Sequence, residues 1–328
     1  MQLTTDIHFP CATLSDRLAA LITDVTADPH ADLERFLGEC LMLRHRLPQP
    51  LLRRLQAFAR DAGEDGVLVL TGLPVERALP PTPASQAQAQ GVRRGVSQVL
   101  LATISAALGS EPVAYAPHLG GAVFQEVIPT PDEEYIQSSS GSRARLVFHT
   151  EAAFHPHPPD HVLLYCERPD PARKVATTFL GARRLLPRLD PETLALLQRP
   201  LFRIGIDHSF GGPELPASAG LVTPILFGDA DDPRLVYDEV MTGCTPHAQS
   251  ALDHVAALIA AEHRAEVLVE GSLMIIDNRR AVHGRAAFVP HHDGRDRWLR
   301  RIYAVRDLRI SASDRPDAGR VICSRFES

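Results

Sequence analysis

Beyond about residue 110 the chain breaks into short apolar runs separated by turn residues, and that punctuation leaves few folds open. The runs are "AVFQEVIP", "RLVFHTE", "HVLLYCE", "VATTFLG", "LFRIGID", "LVTPILFG", "RLVYDEV", "GSLMIIDN" and "RWLRRIYAV". Each is short, rich in β-branched or aromatic residues, and bounded by Gly, Pro, Asn or Asp, so each reads as a strand. One helical pattern, "HAQSALDHVAALIAAEHRA", interrupts them. Upstream the period is helical in "CATLSDRLAALITDV", "ADLERFLGECLMLRHRL", "QPLLRRLQAFARDAG" and "VSQVLLATISAALG". Ser15 or Thr13 is the expected N-cap of the first helix. A single buried strand, "GVLVLTGLP", and a loop, "RALPPTPASQAQAQG", lie among these helices. Many short strands with a few flanking helices predict an α+β chain with a mainly β core, a β-sandwich or jelly roll.

Composition narrows the function. The 328 residues suffice for one large domain with a sizeable core. The net charge is −6 and no Lys/Arg block stands out, so no nucleic-acid partner is expected. No run of about 18 apolar residues exists, so no membrane span is expected. The first residues lack the basic-then-apolar pattern of a signal peptide. The five cysteines are scattered, with no C-x-x-C pair. A reduced, cytoplasmic protein without a thiolate metal site is the expectation. Monomer and dimer both remain open.

The chemistry concentrates in "LVFHTEAAFHPHPPDH". His149 and Glu151 are two apart, and in a strand such residues project from one face. An imidazole and a carboxylate leave a gap that one ion fills, given a third ligand. His283 is the candidate, just past the core strand "SLMIID". Two histidines and a carboxylate on one face leave up to three open positions, the arrangement of non-haem Fe(II) oxygenases. In "RWLRRIYAV", Arg297, Leu299, Arg301 and Tyr303 share one face and Trp298, Arg300 and Ile302 the other. Arginines pointed into a core need a partner, which a dicarboxylate cosubstrate supplies. His155, His157 and His161 sit among prolines and are expected to be structural. His291 and His292, in a turn beside Gly294, are expected to be solvated.

Together, "FHTEAAFHPHPPDHVLLYCERPD", "VATTFLG" and "DNRRAVHGRAAFVPHHDGRDRWLRRIYAV" resemble the clavaminate synthase-like branch of the Fe(II)/2-oxoglutarate oxygenases, which includes hydroxylases of free arginine and asparagine. The resemblance covers roughly residues 115–305. It implies a double-stranded β-helix (jelly roll, cupin-like) with flanking helices. The whole chain, 1–328, is then a single oxygenase domain: 1–110 mostly helical, 111–308 the β core with insertions, 309–328 a C-terminal extension. It implies Fe(II), 2-oxoglutarate and O2 as the cofactor set. His149, Glu151 and His283 would bind iron. Arg297 would take the distal carboxylate of 2-oxoglutarate, with Thr177 as hydroxyl partner. Halogenating relatives lack the carboxylate that Glu151 supplies here, so hydroxylation is implied.

For the substrate, the resemblance puts Arg301 at the amino acid's carboxylate or in support of the cosubstrate. Ser139 and Ser140 match positions that contact its backbone groups, and His118 or Gln125 the position serving its amino group. Asp238 matches an acid that meets a cationic or amide side chain, with Glu239 facing outward. Arginine hydroxylases of this group carry a second acid two positions on, where this chain has Val240. That leaves lysine, ornithine, citrulline or an amide amino acid beside arginine, hydroxylated at C3 or C4. Alternatives are the same chemistry on a carrier-tethered amino acid, a zinc hydrolase using the same ligands, and a non-catalytic jelly-roll binding protein.

Overall fold

The computed structural model describes residues 6–89, 95–207, 210 and 220–324. The helices are α1 (Ser15–Ile22), α2 (Leu33–Leu43), α3 (Gln49–Arg60), α4 (Gln86–Ala89), α5 (Val96–Ala107), α6 (Ala182–Leu185), α7 (Pro191–Leu197) and α8 (Pro246–Glu262). The strands are β1 (His8–Pro10), β2 (Val67–Thr71), β3 (Glu111–Tyr115), β4 (Gln125–Val127), β5 (Leu146–His149) and β6 (His161–Arg168). They continue with β7 (Thr177–Gly181), β8 (Phe202–Ile204), β9 (Leu221–Thr223), β10 (Leu226–Phe227), β11 (Arg234–Leu235) and β12 (Thr242–Gly243). The last are β13 (Arg264–Glu266), β14 (Leu273–Asp277), β15 (Ala281–Arg285), β16 (Trp298–Val305) and β17 (Val321–Ile322).

Two sheets carry the architecture. The larger runs β1-β2-β14-β6-β16-β3-β17, with β4 also paired to β16. The smaller runs β13-β7-β15-β5. Side chains of both sheets meet in one core layer, where Val69, Leu164, Met274 and Ile276 of the larger pack with Phe179 and Ala281 of the smaller. The opposite face of the larger sheet, with Leu70, Leu163, Ile275 and Ile302, is covered by α1, α2, α3 and α5. Strands buried on both faces lose the apolar–polar alternation, which is why "SLMIID" and "HVLLY" read as continuous apolar runs. The outer face of the smaller sheet packs on α7 and α8. Two facing sheets with flanking helices form the jelly roll that the sequence implies.

Several details depart from the sequence reading. The N-cap of α1 is Leu14, without a side-chain cap bond, so neither Thr13 nor Ser15 caps it. Besides the expected strand β2, the N-terminal stretch supplies β1, parallel to β2, and the tail closes an edge as β17, parallel to β3. "RLVYDEV" is a strand only at β11, and "LVTPILFG" divides at Pro224 into β9 and β10. His161 sits inside β6, fully buried, hydrogen-bonded to Ser110 at 2.9 Å. His292 is ion-paired to Glu134 at 2.8 Å rather than simply solvated.

On its helix-facing side, β16 carries a buried ionic cluster. Arg300, on the central strand, donates from Nε to Glu126 of β4 at 2.8 Å, and its Nη1 lies 3.1 Å from Glu167 of β6. Ser97 of α5 accepts from Arg300 at 2.7 Å, and the Trp298 indole donates to Glu126 at 2.5 Å. One guanidinium thus ties three strands at a single register. Removing it strands two buried carboxylates, a change that costs about 3–5 kcal/mol. Arg300→Met is expected to lower the unfolding free energy by that order in urea titration. A loss below about 1 kcal/mol, the ordinary scale of a point substitution, would remove the cluster from the list of register-fixing contacts.

Candidate metal centre and active site

The antiparallel pairing of β15 with β5 sets His283 directly opposite His149. His149 closes β5, and the two imidazole rings lie 4.4 Å apart between centroids. His283 is therefore a strand residue, not a residue of the turn after β14. Gly284 permits the close approach: a Cβ there would come within 2.7 Å of the Leu146 carbonyl. Glu151 lies beyond the end of β5, so a turn and not the strand pleat brings it to the same side. Ala152 follows it with φ +49°, a conformation uncommon for a residue with a side chain. Asn278, buried in the turn after β14, holds that peptide: it accepts from the Glu151 N–H at 2.8 Å and donates to the Glu151 carbonyl at 3.0 Å.

Glu151 divides its two oxygens. Oε1 accepts from the Tyr303 hydroxyl at 2.7 Å. Oε2 faces His283 Nε2 at 3.6 Å, His149 Nε2 at 3.9 Å and an Arg301 guanidinium nitrogen at 3.5 Å. The ligand atoms of the three residues lie within 4.8 Å of one another. His149 Nδ1–H points at the Val147 carbonyl, 2.8 Å away, which leaves the Nε2 lone pair for a metal. Burial disfavours charge on both rings. Beside Glu151, His149 is nonetheless pushed up to about 9, whereas burial and His149 hold His283 down to about 4. The carboxylate has Arg301 beside it, and a cation bound between the rings would add to that positive charge. Two nitrogens and one oxygen, with positions open toward a cavity, fit Fe(II).

Arg297, just ahead of β16, is buried and donates to Thr177 Oγ1 at 3.2 Å. Burial pushes its guanidinium down to about 10. Arg301 and Tyr303 share its face of β16, as the strand period requires. Arg301 donates to Gln125 Oε1 at 2.9 Å and to His118 Nε2 at 2.8 Å, and its guanidinium covers the Tyr303 ring at 4.5 Å. His118, pushed down to about 4 by burial and Arg301, is neutral and accepts that bond. His118 and Gln125 thus both converge on Arg301.

A cavity of about 370 Å³ opens over the three ligand-type residues. His118, Ser139, Asp238 and Arg301 line it. Asp238 reaches it through a single bridge between its backbone and His149, and its carboxylate accepts from the Val240 N–H at 3.0 Å. Glu239 faces away and pairs bidentately with Arg145. Ser140 does not line the cavity; its hydroxyl receives Gln86 at 3.1 Å. Gln125, Thr177 and Arg297 lie behind the wall. Asp207, Glu133 and Phe210 also line the cavity and were not singled out from the sequence. Glu133 lies in the polar stretch before the metal strand, but no local signal marks Asp207 or Phe210.

Residues 37–303 match the model of the "Taurine catabolism dioxygenase TauD, TfdA family". The chain belongs to the TauD/TfdA dioxygenase family. It is 41% identical to the L-asparagine oxygenase of Streptomyces coelicolor, over 85% of this chain and 82% of that protein. It is 36% identical to clavaminate synthase 2 of Streptomyces clavuligerus, over 95% and 96%. A crystal structure of asparagine oxygenase with Fe(II), (2S,3S)-3-hydroxyasparagine and succinate superposes with a TM-score of 0.87 at 36% identity, covering 97% of this chain and 100% of that one. The chain is an Fe(II)- and 2-oxoglutarate-dependent dioxygenase, and the zinc-hydrolase and non-catalytic alternatives fall away. No helix among the described residues is long and apolar enough to cross a membrane.

Metal binding to the native dioxygenase alone stabilises it by mass action. Fe(II), added anaerobically at about a hundredfold over its Kd, is expected to contribute about 2.7 kcal/mol, seen as a raised Tm. His149→Ala and His283→Ala should each abolish that rise. A rise that survives both substitutions would place the metal elsewhere.

Proposed function

We propose that this dioxygenase hydroxylates a free L-amino acid at C3 or C4, with a side chain that is basic or carries a ureido or amide group. What carries this reading is the charge lining one cavity: Arg301 beside Glu151, Asp238 beside His149, and the His149–Glu151–His283 cluster that they flank. An α-carboxylate meets Arg301, braced by Gln125 and His118. The far end of the side chain meets Asp238, whose half-buried carboxylate has room for a donor beside the Val240 N–H. The carbons between them then lie against the metal ligands. A carrier-bound aminoacyl group lacks the free carboxylate that Arg301 calls for, so the free amino acid is the better fit.

With Fe(II) and 2-oxoglutarate bound, the centre supplies the oxidation that puts one oxygen of O2 into a C–H bond while the cosubstrate becomes succinate and CO2. The chain's own part is orientation and exclusion of water. Arg297 and Thr177 hold the cosubstrate's distal carboxylate in a buried site, where a charge-assisted bond is strong. The Tyr303 hydroxyl fixes Glu151 Oε1 and so turns Oε2 toward the ligand cluster. Phe154 and Phe210 line the cavity with apolar surface that keeps water from the reacting carbon. Ser139 supplies a polar edge for the amino acid's backbone groups, and Asp207 and Glu133 add negative charge to the cavity wall.

The test is substrate-stimulated succinate release across the proteinogenic amino acids, ornithine and citrulline, with mass spectrometry for a product gaining one oxygen. Stimulation by none of them would overturn the free-amino-acid reading. Asp238→Asn is expected to lower kcat/KM on the preferred substrate about tenfold or more, equivalent to about 1.4 kcal/mol. Arg297→Ala is expected to raise KM for 2-oxoglutarate while leaving amino-acid binding nearly unchanged. An unchanged KM would remove Arg297 from the cosubstrate site.

A further inference from the structure

A second buried arginine stands beside the cosubstrate anchor and is used by nothing described so far. Arg285 ends β15, two residues after His283. Its cross-strand partner on β7 is Thr177, the residue that receives Arg297. Arg285 is 4% exposed and Arg297 6%. Among the described residues, neither guanidinium has a carboxylate within ion-pair distance; their partners are hydroxyl and carbonyl oxygens. A buried cation without an opposite charge is costly, and two close together are costlier. This corner of the fold therefore carries an unbalanced positive charge, which a dianionic ligand offsets.

The partners of Arg285 lie on the segment that forms the cavity wall. One nitrogen donates to the Gly141 carbonyl and reaches that of Ser139 at 3.5 Å; the other donates to Ala144 at 2.8 Å. Ser138 and Ser139 line the substrate cavity. The segment is also tied by the Glu134 carbonyl, which accepts from the backbone N–H of Ser142, Arg143 and Ala144, and by bonds from Thr130 and Phe288 to the Ser140 and Ser142 carbonyls. Arg285 is the link among these that joins the loop to the Arg297–Thr177 pair, through its cross-strand partner Thr177.

We propose that Arg285 is a positioning residue that couples the cosubstrate site to the substrate-covering loop at residues 138–145, so that 2-oxoglutarate at Arg297 tightens the loop before the amino acid enters. This rests on the assignment of 2-oxoglutarate to Arg297. Its physical basis is the charge balance: an anion at Arg297 relieves the repulsion on Arg285 and strengthens its hold on the loop carbonyls. Linkage makes the effect reciprocal, so an amino acid held by the loop also tightens 2-oxoglutarate. Charge and shape separate in two variants. Arg285→Lys keeps the charge and loses the planar fork; Arg285→Gln loses both.

The experiment uses the whole Fe(II) protein under anaerobic conditions, without turnover. Binding of 2-oxoglutarate is read from fluorescence of the single tryptophan, Trp298, which adjoins Arg297. Loop order is read from hydrogen exchange of residues 138–145 with and without 2-oxoglutarate. In the wild type, 2-oxoglutarate is expected to slow that exchange several-fold. Arg285→Gln should weaken 2-oxoglutarate roughly tenfold, the loss of a charge-assisted contribution, and Arg285→Lys much less. Both variants should lose the cosubstrate-dependent protection. Binding of 2-oxoglutarate with no change in loop exchange, in the wild type alone, overturns the coupling and leaves the cosubstrate assignment standing. Full protection retained in Arg285→Lys also overturns it. Absence of any 2-oxoglutarate binding overturns the assignment beneath it. The wild-type measurement decides even if Arg285→Gln fails to fold.

Discussion

Glu151 places a largely buried carboxylate in the wall of a cavity, and the surrounding groups answer that one charge. Tyr303 satisfies one oxygen; the other faces two imidazoles and a guanidinium. An ionised carboxylate so buried is costly unless positive charge stands beside it. A divalent ion supplies that charge. The same requirement explains Asn278, which touches no ligand atom and yet holds the backbone that aims Glu151. Second contacts of this kind decide whether three ligands meet at one point or only near it.

β16 serves two roles through its alternation. Toward the core between the sheets it presents Arg301 and Tyr303, with Arg297 just ahead of it. Toward the helices it presents Trp298, Arg300 and Ile302. The ladder with β4 carries an ion pair on one face, Arg300 with Glu126, and one residue on it carries Arg301 with Gln125 on the other. A slip of one residue would exchange the faces and send the site's arginines into the helix layer. The buried Arg300 cluster penalises that slip, so an element remote from any ligand keeps the cationic side chains of the site in place.

Much of the site could be read from the sequence because buried charge is rare enough to be informative. Arg297 and Arg301 stand out in an apolar strand, and His149 and Glu151 at the end of another. What was not legible depends on contacts distant in sequence. The position of Glu151 comes from a turn with a left-handed Ala152 and from Asn278, 127 residues away. That His283 faces His149 follows from the register of β15 on β5, which no local pattern fixes. "RLVYDEV" looks like a strand because its composition is right, yet only a bridge at Asp238 joins it to the site. Arg285 reads as one more surface arginine after a glycine until the sheet buries it. The tail, opaque as a sequence, becomes an edge strand because β3 offers an unpaired edge.

The distribution of charge over the cavity gives the enzyme a built-in direction. Arg301 stands at one end, with Arg297 and Arg285 behind the wall. Asp238 enters the lining beside His149, and Asp207 and Glu133 add further carboxylates to it. In a low-dielectric cavity such a field acts on a zwitterion more strongly than it would in water. For an amino acid with a cationic side chain, the α-carboxylate would be drawn to Arg301 and the side chain to Asp238; reversed, each would meet like charge. Position 240 is Val, and the carboxylates that line the cavity come from separate elements: Glu133, Asp207 and Asp238. Acids on separate elements are spaced by the fold and not by one strand's pleat, and that spacing fixes the side-chain length the cavity favours.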